Sequence, residues 1–379
     1  MLISMEKLTI PNNANHPDFF IGYDICDAVI IFFQDKLKLL ISDYLYYTME
    51  RYARHLVLPE IGEKGQEKIE KGKVAVFGLG ALGSPITDAL TRTGVGELKL
   101  VDRDFVEISN LNHQILFDEK DIGKPKAEIA EKRVQEINSQ VQVEGKVTNI
   151  GPNNIEDLIK DVDLVMDGTD NLEVRYLTND ACVKQGIPWI YTAVLATYGM
   201  TKNIIPGKNA CLRCFFPKKP SAGSMETCET AGVLFTLPRI MGNIAATEAI
   251  KYLMGKKMRK GLLTFDVWDS DFEVTKVERR EKRCTTCGQR DFQFLETREE
   301  NIIELCGRNS VQITPAKQED IDLKKLKERF TGAKKMGDKM VKINAGDYEI
   351  NVFGDGRAII EGTEDPKKAK SLYSQYIGN

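Results

Sequence analysis

Short apolar runs alternate with helix-like segments along the chain from residue 73 onward. Five of these runs are predicted to be strands: residues 73–77, 97–101, 141–147, 162–166 and 188–194. Residues 84–93, between the first two runs, are predicted to form a helix. Strands that alternate with helices favour a parallel sheet with helices on both faces. The pattern therefore predicts an α/β fold with a doubly wound, mostly parallel sheet.

The chain on either side of this region has a different pattern. Residues 264–279 alternate between apolar and polar positions, which predicts an additional β region. Residues 350–353 are strand-like, Asp355-Gly356 suggests a hairpin, and residues 366–377 are helix-like. Near the start, residues 11–17 are turn-forming and residues 24–48 are apolar enough for one helix. We expect an N-terminal extension (1–48) before an alternative start at Met49, a main domain (49–295) and a small C-terminal α+β domain (300–379).

The composition is that of a folded globular protein, because 42% of the 379 residues are hydrophobic and 29% are charged. The net charge of -3 gives no general attraction to nucleic acid or anionic lipid. The apolar run at residues 28–33 is far shorter than the ~20 residues that span a bilayer, and residues 1–20 lack the pattern of a signal peptide. Eight cysteines are too sparse for a secreted disulfide scaffold. We therefore expect a cytoplasmic protein without a membrane partner.

A glycine-rich loop follows the first predicted strand. Gly78, Gly80 and Gly83 fit the pattern GxGxxG, in which glycines permit a tight turn and a close approach of the backbone to phosphate. Asp102 ends the next strand, 19 residues after Gly83, the usual place of a carboxylate that binds a ribose hydroxyl. The set predicts a Rossmann-like nucleotide site that suits NAD or ATP. A glycine turn used only for helix–sheet packing is the alternative.

Polar segments follow the second and fourth predicted strands. Residues 102–114 are rich in acidic, amide and hydroxyl side chains, and Lys126 comes shortly after them. Residues 167–171, Asp-Gly-Thr-Asp-Asn, lie at the carboxyl end of a strand, where open α/β sheets bind ligands. These segments offer carboxylates for Mg²⁺ and a lysine for phosphate, which points away from a dehydrogenase.

Two CxxC pairs, Cys211/Cys214 and Cys284/Cys287, supply four thiolates. Four soft ligands suit tetrahedral Zn²⁺ and leave no open position for catalysis. The 69 residues between the pairs are too many for a zinc finger and predict a structural clip that closes a long loop. Two independent redox motifs are the alternative. Cys182 lies in an apolar, helix-like context and is expected in the core.

Residues 51–289 resemble the MoeB/ThiF/HesA family, the bacterial and archaeal relatives of ubiquitin-activating enzymes. The resemblance rests on these segments: residues 51–54 (Arg-Tyr-Ala-Arg), the glycine loop, Ser109-Asn110-Leu111, residues 167–171, residues 227–233, residues 242–253 and both CxxC pairs. It implies an enzyme that uses Mg-ATP to adenylate the C-terminal glycine of a small ubiquitin-like sulfur-carrier protein, with release of pyrophosphate. It also implies a homodimer, a sulfur donor as a further partner, and zinc on the four cysteines.

The resemblance also assigns roles to single residues. Asp102 would hold the ribose, and Asn110 and Lys126 would contact phosphate. Asp170 would hold Mg²⁺ near the α-phosphate, and Arg54 would reach the ATP bound by the other subunit. Positive charge placed where negative charge develops is the main means of accelerating this reaction. Taken singly, Lys126 could instead be a solvated helix residue, and Arg54 a surface ion-pair partner.

Two positions leave alternatives open. His113 stands where the family has an arginine that contacts ATP phosphate, and it cannot form a guanidinium fork and is mostly neutral at pH 7. It either contacts phosphate when protonated or only packs and hydrogen-bonds. Cys228 stands where some relatives form a thioester, acyl-disulfide or persulfide with the partner, whereas others do not need the residue for adenylation. Covalent chemistry would require access and a lowered pKa.

Two other functions are alternatives to adenylation. An NAD-dependent oxidoreductase would need a proton-transfer residue in a second domain, and His16, His55 and His113 include no obvious candidate. A tRNA-modifying dehydratase of the same superfamily would need a basic RNA-binding surface, which the net charge of -3 disfavours. Molybdopterin biosynthesis, thiamine biosynthesis, tRNA thiolation and protein conjugation are all left open as the pathway.

Overall fold

The structure is a computed structural model that describes residues 50–220, 231–277, 282–296, 302–305, 309–315 and 321–378. Residues 1–57 and residues 58–379 form two separate compact units. In the first unit the described residues include the short helix α1 (Ala53–Leu56). The expected helix within residues 24–48, together with Cys26, Cys228 and Cys306, lies outside the described residues.

The second unit contains a main sheet whose strands are β1 (Lys73–Phe77), β2 (Glu97–Asp102), β3 (Gln142–Val147), β4 (Leu164–Asp167), β5 (Trp189–Leu195), β6 (Tyr198–Ile204), β7 (Leu262–Asp266) and β8 (Asp271–Thr275). Their order is β3-β2-β1-β4-β5-β6-β7-β8. The first five in this order run parallel, and β6 to β8 are added antiparallel. The predicted mostly parallel sheet and its additional β region are therefore confirmed.

Helices cover both faces of this sheet. They are α2 (Gly62–Ile69), α3 (Gly83–Thr93), α4 (Lys126–Ile137), α5 (Ile155–Leu158), α6 (Leu172–Gln185), α7 (Leu212–Phe215) and α8 (Thr236–Leu253). On β1, Val74 and Val76 belong to one core cluster together with residues of α3, α4 and α8. Ala75 and Phe77 belong to the cluster on the opposite face, together with residues of α5 and α6. A strand buried on both faces has a continuous apolar run, as β1 does.

A second, antiparallel sheet lies in the C-terminal part of the chain. Its elements are β9 (Ile302–Leu305), β10 (Ser310–Ile313), α9 (Leu323–Arg329), β11 (Lys334–Lys335), β12 (Met340–Ala345), β13 (Tyr348–Phe353), β14 (Ala358–Glu361) and α10 (Pro366–Tyr376). The strand order is β11-β12-β13-β14-β10-β9, and the sheet has its own apolar core with residues of α9 and α10. The predicted hairpin at Asp355-Gly356 joins β13 to β14. We call residues 302–378 the C-terminal unit.

The C-terminal unit packs against the main sheet through a small apolar cluster. Met340, Phe353 and Ile359 form a small buried cluster. Phe105, just after β2, and Val147, at the end of β3, pack against this cluster. The C-terminal unit therefore lies against the edge of the sheet that β2 and β3 form. None of the helices in the described ranges combines the length and the apolar character that a membrane crossing requires.

Candidate nucleotide site and metal centre

The glycine loop connects β1 to α3, and its glycines have different roles. Gly78 has φ +78°, and a Cβ on it would lie 2.8 Å from the Gly168 carbonyl oxygen. A Cβ on Gly83 would lie 1.8 Å from the Gly78 carbonyl oxygen. A Cβ on Gly80 would meet only the Gln114 side-chain nitrogen, at 3.9 Å. Gly78 and Gly83 therefore permit close backbone packing, whereas Gly80 borders open space at the head of α3.

Asp102 ties the second strand to this loop. Its Oδ2 accepts a hydrogen bond from the Leu79 N–H at 2.6 Å, and its Oδ1 accepts one from the Asp104 N–H at 2.7 Å. The side chain is buried, and this burial raises its pKa, while the nearby charge of Lys126 acts in the opposite direction. Each carboxylate oxygen keeps a second lone pair that can accept a hydrogen bond from a ligand hydroxyl.

Lys126 is the first residue of α4 and is only 3% exposed. Its backbone N–H donates to the Asp104 carbonyl at 2.9 Å, and its Nζ lies 4.0 Å from Asp104 Oδ2. This ion pair is too long for a hydrogen bond, so the three ammonium donors remain available within the described part of the chain. The alternative of a solvated helix residue is therefore wrong. A buried ammonium at a helix N-terminus suits an anionic ligand.

Asn110 and His113 lie in the segment after β2, where the His113 N–H donates to the Asn110 carbonyl at 3.1 Å. The Asn110 Oδ1 accepts a hydrogen bond from the Glu107 N–H at 3.0 Å, which caps a short 3₁₀ turn, Ile108–Asn110. The His113 ring is half-buried and is hydrogen-bonded to the Asn112 side chain. Burial, and then the charge of Lys126, lower the pKa of His113. Both effects favour the neutral imidazole.

The loop after β4 brings Asp170 to the glycine loop. Asp167 is buried, and its Oδ1 accepts hydrogen bonds from the Thr169 N–H and hydroxyl at 3.0 and 2.7 Å. A Cβ on Gly78 would lie 3.0 Å from the Thr169 Cα. Asp170, the next residue, is exposed. An exposed carboxylate beside a glycine loop fits the preference of Mg²⁺ for oxygen ligands and retained waters.

The structure thus brings together the glycine loop, Asp102, His113, Lys126 and the Asp170 loop at the carboxyl edge of the sheet. Asn110 lies in the short turn just before His113. Arg54 lies in α1 of the first unit and is exposed, and Cys228 lies outside the described residues. Sequence reasoning missed Arg175, and it included Asp104 and Gln114 in the polar segment 102–114 without giving either a role. Gln114 has a buried Oε1 without a hydrogen-bond partner in the described ranges. Its side-chain nitrogen lies 3.9 Å from the position of a Cβ on Gly80, a proximity that the polar pattern of residues 102–114 did not specify.

The four cysteines of the two CxxC pairs come together. Their sulfur atoms all lie within 4.8 Å of one another, with Cys211–Cys284 and Cys214–Cys287 both at 3.5 Å. Four sulfurs bound to zinc at about 2.3 Å would be about 3.8 Å apart, so the set fits one tetrahedral Zn²⁺. Hydrogen bonds from the other thiols, that of Cys211 foremost, lower the pKa of Cys284. Deprotonation is therefore favoured at Cys284, whereas hydrogen bonds to the other thiols, that of Cys214 foremost, raise the pKa of Cys211.

Helix α6 anchors both cysteine pairs. The Asn179 Oδ1 accepts a hydrogen bond from the Leu212 N–H at 2.9 Å, beside the first pair. The buried Asp180 accepts one from the Thr286 hydroxyl at 2.6 Å, inside the second pair. Cys182, on the same helix, is fully buried, as predicted. Because the cluster has four protein donors and joins distant segments, it fits a structural centre.

Comparisons with known proteins agree with this geometry. The model of the ThiF family matches residues 52–286. The chain belongs to the ThiF family. It is 38% identical over 335 residues to the sulfur carrier protein ThiS adenylyltransferase of Bacillus subtilis, which covers 86% of this chain and 99% of that protein. It is 37% identical over 261 residues to the SAMP-activating enzyme E1 of Haloferax volcanii. This match covers 68% of this chain and 95% of that protein.

A solved structure shows the same fold for this ThiF-family chain. The crystal structure of E. coli MccB aligns with a TM-score of 0.56 and 21% identity, over 66% of this chain and 74% of that one. A sulfur carrier protein adenylyltransferase of Thermus thermophilus is 37% identical over 252 residues. This match covers 65% of this chain and 93% of that protein. The Bacillus match extends beyond residue 286, where the family model ends, so it includes part of the C-terminal unit.

Proposed function

We propose that this chain uses ATP to adenylate the C-terminal glycine of a small ubiquitin-like sulfur carrier protein and releases pyrophosphate. The observation that carries the proposal is the buried Lys126, which shares one site with the glycine loop and Asp102. The match to 99% of the length of a ThiS adenylyltransferase supports the same reaction. We assign this activity to residues 49–295.

The reaction requires charge compensation more than proton transfer. A carboxylate oxygen of the carrier protein attacks the α-phosphorus of ATP, and the bond to the oxygen that bridges the α- and β-phosphates breaks. The products are an acyl adenylate and pyrophosphate, and no electrons are transferred. Lys126 and the Asn110 amide would contact the phosphates, and Asp102 would accept hydrogen bonds from the ribose. Mg²⁺ held by Asp170 would neutralise charge on the α-phosphate and on the departing pyrophosphate.

The partner assignments extend this proposal. Arg54 is exposed in α1 and would contact the ATP of a second copy in a homodimer. Sulfur at the sulfide level, supplied by a donor, would then attack the acyl carbon, so that a C–S bond forms, the bond to AMP breaks and a thiocarboxylate results. Cys228 would either form a covalent link with the activated carrier or be dispensable. Four clustered free thiols that would hold zinc, with no disulfide among them, suit the reducing cytoplasm.

The test is ATP–pyrophosphate exchange with purified chain and a ThiS-type carrier from the same genome. We expect exchange that depends on the carrier and on Mg²⁺, and that disappears when the last glycine of the carrier is removed. Absence of exchange with the intact carrier, together with reduction of NAD by a hydroxy acid, would support the oxidoreductase instead. The truncated carrier is the matched control, because it keeps the docking surface and loses only the reacting carboxylate.

A further inference from the structure

Helix α4 carries Lys126 as its first residue and Glu128 in the same first turn. The residue before the helix is Pro125, which has no N–H to offer and no side chain that caps the helix. In a capping box the third residue of a helix would return its carboxylate to that N–H. Here the carboxylate of Glu128 has no such use, and yet the residue is only 3% exposed. A buried carboxylate requires other donors.

The donors come from the C-terminal unit. The Glu128 Oε2 accepts hydrogen bonds from the backbone N–H of Asp338 at 2.7 Å and of Lys339 at 3.3 Å. The Lys132 ammonium donates to Oε1 at 2.7 Å. Gly337 has φ +70°, and a Cβ on it would lie 2.4 Å from Glu128 Oε2. We call this contact of Glu128 with residues 337–339 the Glu128 clasp.

Further contacts place the clasp within a continuous interface. The Lys339 ammonium donates to the Gly145 carbonyl of β3 at 2.8 Å. Arg357 is 1% exposed and stacks on the Phe353 ring at 3.9 Å, and Phe353 lies in the cluster that packs against Phe105. Asp104, the ion-pair partner of Lys126, directly precedes Phe105. The C-terminal unit therefore contacts both the helix that carries Lys126 and the segment that carries its carboxylate partner.

We propose that the C-terminal unit positions Lys126 for the ATP phosphates by fixing the first turn of α4 through the Glu128 clasp. This inference rests on the proposed function, in which Lys126 contacts phosphate. Glu128 is two residues from Lys126 on one turn, so a shift of its carboxylate moves the lysine backbone. Glu128 is a positioning residue, and its partners at positions 338 and 339 lie outside the residues that the family model matches.

The test replaces the Glu128 carboxylate by an amide and keeps the shape of the side chain. Glu128→Gln removes the charge that the two N–H groups and Lys132 share, so we expect the dissociation constant of ATP, measured by calorimetry, to rise about tenfold. The melting temperature checks that the variant is folded. Glu136→Gln is the matched control, because Glu136 lies in the last turn of α4 with a side chain 62% exposed. We expect less than about a twofold change for it.

A double-mutant cycle separates positioning from general destabilisation. If Glu128 acts through Lys126, adding Glu128→Gln to Lys126→Ala should not weaken ATP binding further. The inference would be overturned if Glu128→Gln weakened ATP binding by the same factor in the parent chain and in Lys126→Ala. It would also be overturned if Glu128→Gln alone left ATP binding unchanged. If Glu128→Gln does not fold, Gly337→Ala replaces it in the double-mutant cycle, because the added methyl group would displace the Glu128 carboxylate. If Lys126→Ala itself binds ATP normally, the assigned role of Lys126 fails and the inference fails with it.

Discussion

The Arg175 guanidinium donates from Nε to the Asp167 carboxylate at 3.0 Å, and both side chains are buried. The same guanidinium donates to the carbonyl oxygens of Thr169 and Thr192, at 3.1 Å for Thr192. Burial raises the pKa of Asp167, and the charge of Arg175 opposes this effect. The ion pair therefore fixes the loop that carries Asp170 to two neighbouring strands.

Replacing Arg175 by methionine should unfold the site. The substitution leaves the Asp167 carboxylate buried without its counter-charge, which costs about 3 kcal/mol or more of folding free energy. The measurement is the urea midpoint of unfolding, with Arg92→Met as control. Arg92 forms an i,i+4 pair with Asp88 and is 62% exposed, so its removal should cost less than about 1 kcal/mol. Equal midpoint shifts in the two variants would contradict this account.

The sequence was sufficient for the parts of the fold that depend on local pattern. The buried run of β1 and the glycines that follow it predicted the strand, the loop and the helix, and each is found within a residue or two. Strand β6 was missed because its buried positions include Lys202 and Asn203, which break the apolar pattern. The Asn203 side-chain nitrogen donates to the Glu248 carboxylate at 2.7 Å, a partner 45 residues away in the sequence.

Within the candidate site, too, residues in local motifs could be predicted, whereas residues with distant partners could not. Residues in contiguous motifs, such as Asp102 and Lys126, were found from spacing and resemblance. Glu128 was not, because its backbone partners are 210 and 211 residues away and carry no side-chain pattern of their own. Hydrogen bonds to backbone groups are independent of side-chain identity, so no residue type marks them in a sequence.

Replacing Cys284 by serine should remove the metal. Three thiolates and a hydroxyl bind zinc less well than four thiolates, so we expect zinc content to fall from about one per chain towards zero. The melting temperature should fall as well, because the clip joins segments 73 residues apart. Elemental analysis of the purified protein is the measurement. Cys182→Ala should lose stability but keep its zinc, because Cys182 lies in the core outside the cluster.

The pH dependence of stability should report on His113. Its pKa in the folded protein is below the ordinary 6.5, chiefly because of burial and then because of the charge of Lys126. As the pH falls through 6.5, the unfolded chain takes up the proton first, so folding stability is lost towards acid. His113→Gln should lose less stability than the parent chain between about pH 7.5 and pH 5. If the urea midpoints of the parent chain and of His113→Gln change by the same amount across this pH range, the effect of His113 is excluded.

Asp170→Asn should abolish exchange without unfolding the protein. The residue is exposed, so little packing is lost. Weaker binding of Mg²⁺ would remove charge compensation at the α-phosphate, and we expect pyrophosphate exchange to fall about 100-fold or more. Asp157→Asn is the control, an exposed aspartate in α5. Exchange at a normal rate in the Asp170 variant, with normal dependence on Mg²⁺, would show that another group holds the metal.

The glycine loop allows a test that separates packing from ligand binding. Gly83→Ala would place a methyl group 1.8 Å from the Gly78 carbonyl oxygen, and backbone atoms cannot yield cheaply, so the melting temperature should fall sharply. Gly80→Ala would meet only the Gln114 nitrogen at 3.9 Å, so the protein without ATP should keep its melting temperature.

The same Gly80 methyl group would occupy the space at the head of α3 where the phosphates should lie. We therefore expect ATP to bind at least about tenfold more weakly to Gly80→Ala than to the parent chain, and to raise its melting temperature less. Calorimetry with ATP and thermal unfolding with and without ATP give the two measurements. If Gly80→Ala binds ATP normally, the phosphates do not pass this glycine, and the loop serves helix–sheet packing alone.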